Sequence, residues 1–168
     1  IPIQSGHDDV LFRMNRRYTV AQYSEFALEA HRRVEGLCLG TDVIVGYPGE
    51  TAEMFEGTVE CLRDLPFAYF HVFSYSERPE AKSAIFPDPV DRSVIAERSR
   101  ILRGLSARKL QRFQQSFVGR TMEVLFEERR DGWWRGTTDN YLRVRVRDDR
   151  DLGNQILPVS LDTRCENW

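Results

Sequence analysis

The fold is decided by residues 37–73, which read LCLGTDVIVGYPGETAEMFEGTVECLRDLPFAYFHVF. Residues 37–46 form a nearly continuous apolar run, which predicts a strand that is covered on both faces. A Pro-Gly turn ends that run, Thr51 then caps a predicted helix that continues to Leu65, and residues 67–73 predict a second buried strand. This order predicts parallel strands joined by a right-handed crossover.

The preceding part of the chain extends the same pattern. Residues 18–34 carry apolar side chains at helical spacing, with Thr19 as the expected N-cap. Residues 1–6 look like the end of an earlier strand that enters a loop. In parallel sheets, ligands bind beyond the carboxyl ends of the strands. The candidate site therefore lies on the three strand-end loops, 4–18, 46–51 and 74–89.

The second half of the chain follows a different pattern. Residues 91–117 restore helical periodicity, and from Gly119 onward apolar residues alternate with polar ones. Four short strands separated by turn residues are expected at 122–126, 133–137, 141–146 and 155–161. We therefore expect an α/β part, residues 1–117, followed by an all-β part, residues 118–168, that forms a small antiparallel barrel.

Composition narrows the class of protein. The 168 residues are too few for a complete (β/α)₈ barrel, which needs about 250. With 41% hydrophobic and 30% charged residues and no long apolar stretch, the chain is expected to be a cytoplasmic globular protein. Its 24 basic and 26 acidic residues give no overall basic field. Residues 91–120, however, carry eight basic and two acidic residues, which predicts a local basic surface.

Cysteine and histidine spacing argues against a metal site. The residues concerned are Cys38, Cys61, Cys165, His7, His31 and His71. Their separations match neither a disulfide framework nor a zinc or iron-sulfur motif. Reduced thiols, no metal ligands and no Ser-His-Asp or Cys-His nucleophile are therefore expected.

Several candidate residues have two interpretations on sequence alone. The Gly46–Thr51 turn either lets backbone approach a ligand or is an ordinary strand-to-helix turn. Gln4 and Ser5 either bind a ribose or cap the next helix. Arginines on the strand-end loops either pair with a carboxylate or phosphate or are solvated. Aromatic residues of the β part either stack on RNA bases or belong to the core or rim of the barrel.

Taken together, the motifs resemble one family. Residues 4–6, 14–19, 40–51 and 73–79 look like the C-terminal half of the radical S-adenosylmethionine methylthiotransferases, and the barrel that begins at Val118 is similar to their RNA-binding TRAM domain. Residues 136–141, together with the Gly-Thr-Asp start of the strand at position 40, resemble the branch that acts on N6-threonylcarbamoyladenosine in tRNA. That branch adds a methylthio group at carbon 2 of the modified adenosine beside the anticodon.

The resemblance implies the distal half of a partial (β/α)₆ barrel, with its last three strands, followed by a TRAM barrel. It implies that S-adenosylmethionine contacts Gln4 and Ser5 at its ribose or methionyl end, Arg16 at its carboxylate, and backbone of Asp42, Ile44 and Gly46 at its adenine. Substrate contacts are expected at Arg78, Tyr75 and Arg17. RNA contacts are expected at Arg108, Arg112, Arg120, Tyr141 and Arg143. The implied partners of the monomeric chain are tRNA and S-adenosylmethionine.

Two departures from the family pattern matter. The family holds two 4Fe-4S clusters with cysteines, three of them in a Cys-x₃-Cys-x₂-Cys motif, and neither set occurs in this sequence. The chain is therefore expected to be a fragment without catalytic residues of its own that is inactive alone. Glu80-Ala81 also replaces the usual Gly-Thr. The alternatives are a methylthiotransferase for isopentenyladenosine in tRNA or for a ribosomal protein aspartate, and a non-catalytic RNA-binding protein.

Overall fold

A computed structural model describes residues 2–77 and 86–162 of the chain. The chain divides into two compact units, Ile1–Leu110 and Gln111–Trp168. The division expected from sequence, between residues 117 and 118, stays a prediction. No helix within the two described ranges has both the length and the apolar composition that crossing a membrane requires.

The first unit alternates helices with two parallel strands. Its elements are α1 (Asp8–Arg13), α2 (Val20–Arg33), β1 (Gly40–Val45), α3 (Ala52–Asp64), β2 (Tyr69–Ser74) and the start of α4 (Arg92–Gln115). Strands β1 and β2 pair in parallel, in a register that runs from Gly40 opposite Tyr69 to Val45 opposite Ser74. The predicted parallel pairing is confirmed.

Two predicted helix starts are present with their caps. Thr19 Oγ1 accepts a hydrogen bond from Gln22 N at 3.2 Å, and Gln22 Oε1 accepts one from Thr19 N at 3.0 Å. Thr51 Oγ1 accepts from Met54 N at 3.2 Å. These bonds satisfy amide groups that a helix start leaves without a partner. The sequence therefore placed the starts of α2 and α3 correctly.

The structure corrects two expectations near the start of the chain. The loop predicted for residues 4–18 contains helix α1, which His7 caps by accepting from Asp9 N at 3.3 Å. Six residues are too few to show helical periodicity in sequence. The strand expected in residues 1–6 is reduced, in the described part, to a single parallel bridge between Gln4 and Val43.

The prediction that both strands are covered on both faces is wrong. Val43, Val45 and Phe70 pack against the helices, but the alternate residues of β1 are half-buried and His71 and Phe73 of β2 are exposed. The reason is that α2, α3 and α4 supply their core residues to one face of the sheet. The opposite face, which we call the open face, carries the half-buried alternate residues of β1 and the exposed residues of β2.

The second unit contains four antiparallel strands. They are β3 (Thr121–Arg130), β4 (Trp133–Thr138), β5 (Arg143–Val146) and β6 (Ile156–Ser160), in the order β5-β4-β3-β6. Val124, Phe126 and Trp134 form the centre of their core together with Val144 and Leu152. The predicted four short antiparallel strands are confirmed, whereas a closed TRAM barrel stays a prediction.

Candidate functional site

The segment before α1 joins the sheet near the carboxyl end of β1. Gln4 N donates to Asp42 O at 2.9 Å, and Ile44 N donates to Gln4 O at 2.9 Å. Gln4 has a φ of 70°, so the chain turns away from the strand immediately after this contact. The two backbone groups of Asp42 and Ile44 named here are thus engaged within the chain, and the half-buried side chains of these two residues are what this strand offers to a ligand.

Ser5 and Gly6 are fixed against α3. Ser5 is fully buried, and its Oγ accepts from His7 N at 3.2 Å and lies 3.4 Å from Thr58 Oγ1. Gly6 N donates to Thr58 Oγ1 at 3.1 Å. The Ser5 hydroxyl therefore serves the start of α1, which matches the capping interpretation of this segment.

A carboxylate closes the turn that follows β1. Gly46 N donates to Glu50 Oε2 at 2.7 Å, and Glu50 N donates to Tyr47 O at 2.9 Å. Gly46 has a φ of 77°, which glycine adopts at low cost. A Cβ at this position would overlap the side chain of Ile95 in α4. The glycine therefore makes room for the helix, and the structure favours the strand-to-helix interpretation of the turn.

Arg98 of α4 holds the same turn through hydrogen bonds to Glu50. Its Nη1 donates to Glu50 Oε2 at 2.6 Å and to Glu50 O at 3.0 Å, and the two side chains are 9% and 0% exposed. The guanidinium also lies over the Phe55 ring, 5.2 Å from its centroid. Burial raises the pKa of Glu50, an effect that the Gly46 amide and the Arg98 charge reduce. The ion pair thus holds α4 to the strand end.

The predicted strand-end loops meet at Tyr47. Its hydroxyl donates to Arg13 O at 3.1 Å, and Arg13 Nη1 donates to Pro48 O at 3.3 Å. Its ring contacts the Tyr75 ring edge-on at 5.3 Å between centroids. The Tyr75 hydroxyl is buried and has no hydrogen-bond partner among the described residues. Such a group is available to a polar ligand.

The predicted cofactor-binding residues fall into a buried group and a group that is at least partly exposed. Those buried within the fold are Gln4, Ser5 and Gly46. Those that reach the surface or the open face are Arg16, Asp42 and Ile44. Of the predicted substrate residues, Arg17 is exposed and Tyr75 is half-buried, while Arg78 and the Glu80-Ala81 pair lie outside the described residues.

Sequence reasoning missed the residues that hold the loops together. Glu50 lies in the turn after β1, four residues after Gly46. That spacing was the one feature of the sequence that could have indicated its role. Arg98 was counted among the basic residues of the helix, although 48 residues separate it from its partner. No local pattern identifies an ion pair between two elements so far apart in sequence.

The residues present fit one of the two implied groups. S-adenosylmethionine needs an apolar surface for its purine, a cation for its carboxylate and polar partners. Ile44 and Arg16 are of the first two kinds, and the Tyr75 hydroxyl, which has no partner among the described residues, is of the third. An iron-sulfur cluster needs several thiolates. The described residues contain no group that could hold a metal ion, and burial raises the pKa of Cys38 and raises that of Cys61 to about 11. These residues do not fit a cluster.

The basic helix has fewer available charges than its composition indicates. Arg98 is paired with Glu50, and Arg100 Nη2 donates to Glu97 at 2.6 Å. Lys109 Nζ donates at 2.8 Å to the Arg63 and Leu65 carbonyls at the end of α3. Of the predicted RNA residues on this helix, Arg108 belongs to the first unit and Arg112 to the second, and both are exposed.

The second unit carries a face with basic and aromatic side chains. The residues predicted to bind RNA include only some of them. Arg145 and Arg147 place their guanidinium groups 4.8 and 4.7 Å from the centroid of the same Trp133 ring. In the β4–β5 register, Arg135 lies opposite Arg145 and Arg143 opposite Thr137. We call these outward residues, Trp133, Arg135, Arg143, Arg145 and Arg147, the arginine face. In the sequence, arginine at every second position from 143 to 147 indicates that these side chains share one face of a strand.

The other predicted RNA residues of the second unit lie elsewhere. Arg120 is exposed and its guanidinium lies 5.1 Å from the Phe117 ring centroid. Tyr141 is 78% exposed and has a φ of 65° in the turn before β5. Of the predicted set, the structure places Arg143 on the arginine face.

Comparison with known proteins shows what this chain is similar to. Residues 1–62 match the radical SAM superfamily. The chain is 37% identical over 145 residues to a Methanocaldococcus jannaschii protein named "Probable threonylcarbamoyladenosine tRNA methylthiotransferase", which covers 86% of this chain and 33% of that protein. It is 34% identical over 166 residues to the Bacillus subtilis threonylcarbamoyladenosine tRNA methylthiotransferase MtaB, covering 96% and 37%.

The chain is about equally similar to a relative whose name gives a different substrate. The tRNA-2-methylthio-N(6)-dimethylallyladenosine synthase of Nitratidesulfovibrio vulgaris is 34% identical over 167 residues, which covers 95% of this chain and 37% of that protein. The chain is thus a homologue of radical S-adenosylmethionine tRNA methylthiotransferases and spans about a third of the length of these relatives.

Proposed function

We propose that the chain is the C-terminal portion of a tRNA methylthiotransferase that adds a methylthio group to carbon 2 of N6-threonylcarbamoyladenosine. The observation that carries the proposal is similarity to tRNA methylthiotransferases along 86% to 96% of the chain. Two relatives, at 37% and 34% identity, carry the threonylcarbamoyladenosine name, and three others, at 34% to 35%, carry the dimethylallyladenosine name. The choice of branch therefore rests on residues 136–141 and on the Gly-Thr-Asp start of β1. The dimethylallyladenosine enzyme supports the second candidate, the same reaction on an isopentenyl-type adenosine.

In this proposal the first unit binds and positions the cofactor. S-adenosylmethionine, when bound with a reduced cluster, supplies the radical that abstracts hydrogen from the substrate. Ile44 offers its side chain to the purine, and Arg16 pairs with the methionyl carboxylate. Glu50 and Arg98 keep the turn after β1 at a fixed distance from α4. We further propose that the cluster ligands lie in parts of the parent protein that correspond to the rest of its relatives' length, that the chain is inactive without them, and that the parent enzyme is cytoplasmic.

The second unit is proposed to bind the tRNA as a TRAM domain. Guanidinium groups pair with phosphates, and an indole next to them adds aromatic surface that can contact a base. The arginine face brings both kinds of group together, with Trp133 contacted by two arginines. We therefore assign the main RNA contact of the monomeric chain to this face, with Arg120 and Tyr141 outside it.

Replacing Arg145 and Arg147 together by glutamine is expected to weaken tRNA binding and reduce its salt dependence. Loss of two phosphate contacts lowers the slope of log affinity against log salt by about 1.5. Filter binding of the 168-residue protein to tRNA at several salt concentrations measures the slope. The control is R150Q, which removes an exposed arginine that is paired with Asp148 at 2.7 Å. Equal slopes for the double variant and wild type would overturn the assignment.

Deleting the gene is expected to remove 2-methylthio-N6-threonylcarbamoyladenosine from tRNA and leave its unthiolated precursor in place. Mass spectrometry of tRNA nucleosides from the source organism measures both compounds. Loss of the isopentenyl-type methylthio nucleoside instead would select the second candidate. Unchanged nucleosides with an unthiolated ribosomal protein aspartate, or with no lost modification at all, would reject tRNA methylthiotransfer in favour of another substrate or a non-catalytic RNA-binding role.

A further inference from the structure

The open face of the sheet carries an ordered row of aromatic rings. Tyr69, His71 and Phe73 alternate along β2 on the side away from the helices. The Tyr69 and His71 ring centroids are 5.3 Å apart, and those of His71 and Phe73 are 6.5 Å apart. Phe73 is 52% exposed, and exposing that much aromatic surface to water is costly unless a ligand covers it. We call these three residues the ring row.

The neighbouring strand shapes the ring row. Gly40 is the register partner of Tyr69, and a Cβ on Gly40 would lie 2.7 Å from Tyr69 Cζ. The Tyr69 ring therefore lies across the backbone of β1, in the space that a side chain would fill. His71 is opposite Asp42 in the same register. The face thus combines flat apolar surfaces with a carboxylate and an imidazole, which can bond to the edge of a base.

The ring row ends where the proposed cofactor position begins. Phe73 is the register partner of Ile44, the residue that the proposed function assigns to the purine of S-adenosylmethionine. Neighbouring strands are about 4.8 Å apart. A planar group stacked on Phe73 would thus lie beside a cofactor on Ile44, and adjacency of this kind is what a radical transfer between two bound molecules requires.

On these grounds, and resting on the proposed function, we infer that Phe73 and His71 are substrate-positioning residues that receive the adenine base of the tRNA nucleoside on the open face. Phe73 supplies the stacking surface. His71, held between Tyr69 and Phe73, contacts the edge of the base. The proposed function makes the occupant a purine base, and an aromatic stacking surface with groups that can hydrogen-bond its edge suits such a base.

Adenosine titrated into the 168-residue protein provides the first test. The protein has three histidines, so their ring protons are resolved by NMR and H71Q assigns the one of interest. The His71 signal is expected to shift with saturation, and F73L is expected to raise the half-saturating adenosine concentration about tenfold. His31, exposed on α2, is the internal control. An unmoved His71 signal, or an equal shift of His31, would overturn the inference.

Complementation of the deletion strain separates this inference from the proposed function. The full-length gene with F73L is expected to restore far less of the methylthio nucleoside than wild type, F73Y is expected to recover it, and H31Q to match wild type. Restoration by F73L equal to wild type would reject the ring row while leaving the proposed function intact. Failure of the wild-type gene would reject the proposed function, and the adenosine titration would still decide the inference.

Discussion

Replacing Arg98 by methionine is expected to lower the free energy of unfolding of the first unit by about 3–5 kcal/mol. Methionine retains most of the apolar volume against Phe55, so the change removes mainly the charge. It leaves the Glu50 carboxylate fully buried, with the Gly46 amide as a remaining partner. One Glu50 oxygen already has no partner among the described residues, so no spare bond compensates. A buried charge without a counterion is the dominant cost.

Urea unfolding followed by circular dichroism measures this loss. Helices α1–α3 lie in the first unit, and all three tryptophans lie at position 133 or later, so tryptophan fluorescence reports separately on the second unit. The matched control is R100M, which breaks an exposed pair with Glu97 on the same helix. Such surface pairs contribute little to stability, because both charges stay solvated and are screened by salt. Similar losses for R98M and R100M would contradict a structural role for the buried pair.

The loss of unfolding free energy that R98M causes, relative to wild type, should become smaller as the pH falls. Burial raises the pKa of Glu50 in the folded protein, so between the ordinary and the raised pKa the folded state holds more protons than the unfolded state. Stability contributed by this group therefore falls as pH rises through that window. Removing Arg98 removes two causes that lower the pKa and widens the window. Acidification through that window protonates a larger share of Glu50 in the variant than in the wild type and recovers part of the loss. If the stability loss of R98M did not change with pH, it would not come from a buried charge on Glu50.

Local patterns predicted the elements, and contacts between distant residues decided the site. Thr19 and Thr51 revealed their caps because the signal lies within three residues. The parallel pairing of β1 and β2 followed from their order along the chain. Glu50 and Arg98 gave no such signal, because the partner of a buried ion pair is chosen by packing of α4 on the strand end.

The same limit explains two wrong or partial expectations. A run of apolar residues looks alike whether one or both faces of its strand are covered, so the open face with Ile44 and Phe73 was not foreseen. Composition also counts every arginine of a helix as a surface charge, although Arg98 is buried. The arginine face of β5 was found in part, since alternate residues of a strand lie on one side by geometry alone.

Replacing Gly6 by alanine is expected to destabilise the first unit by about 3 kcal/mol. A Cβ on Gly6 would lie 2.7 Å from Thr58 Cα and 2.8 Å from Cys61 Cβ. The first of these is backbone in the middle of α3 and cannot move aside as the end of a flexible side chain can. Relief requires residues 4–6 to move away from the helix, which would break the bond from Gly6 N to Thr58 Oγ1.

Gly57, a neighbour of that contact, provides the matched control. A Cβ there would meet His7 Cδ2 at 3.7 Å, an ordinary contact. Because Gly57 is inside α3, G57A should stabilise the helix by up to about 1 kcal/mol. The two substitutions add the same methyl group and should differ in sign under urea unfolding followed by circular dichroism. If G6A were as stable as wild type, residues 4–6 would not be clamped on α3. Ser5 would then be available at the strand ends, and its assignment to the capping of α1 would have to be withdrawn.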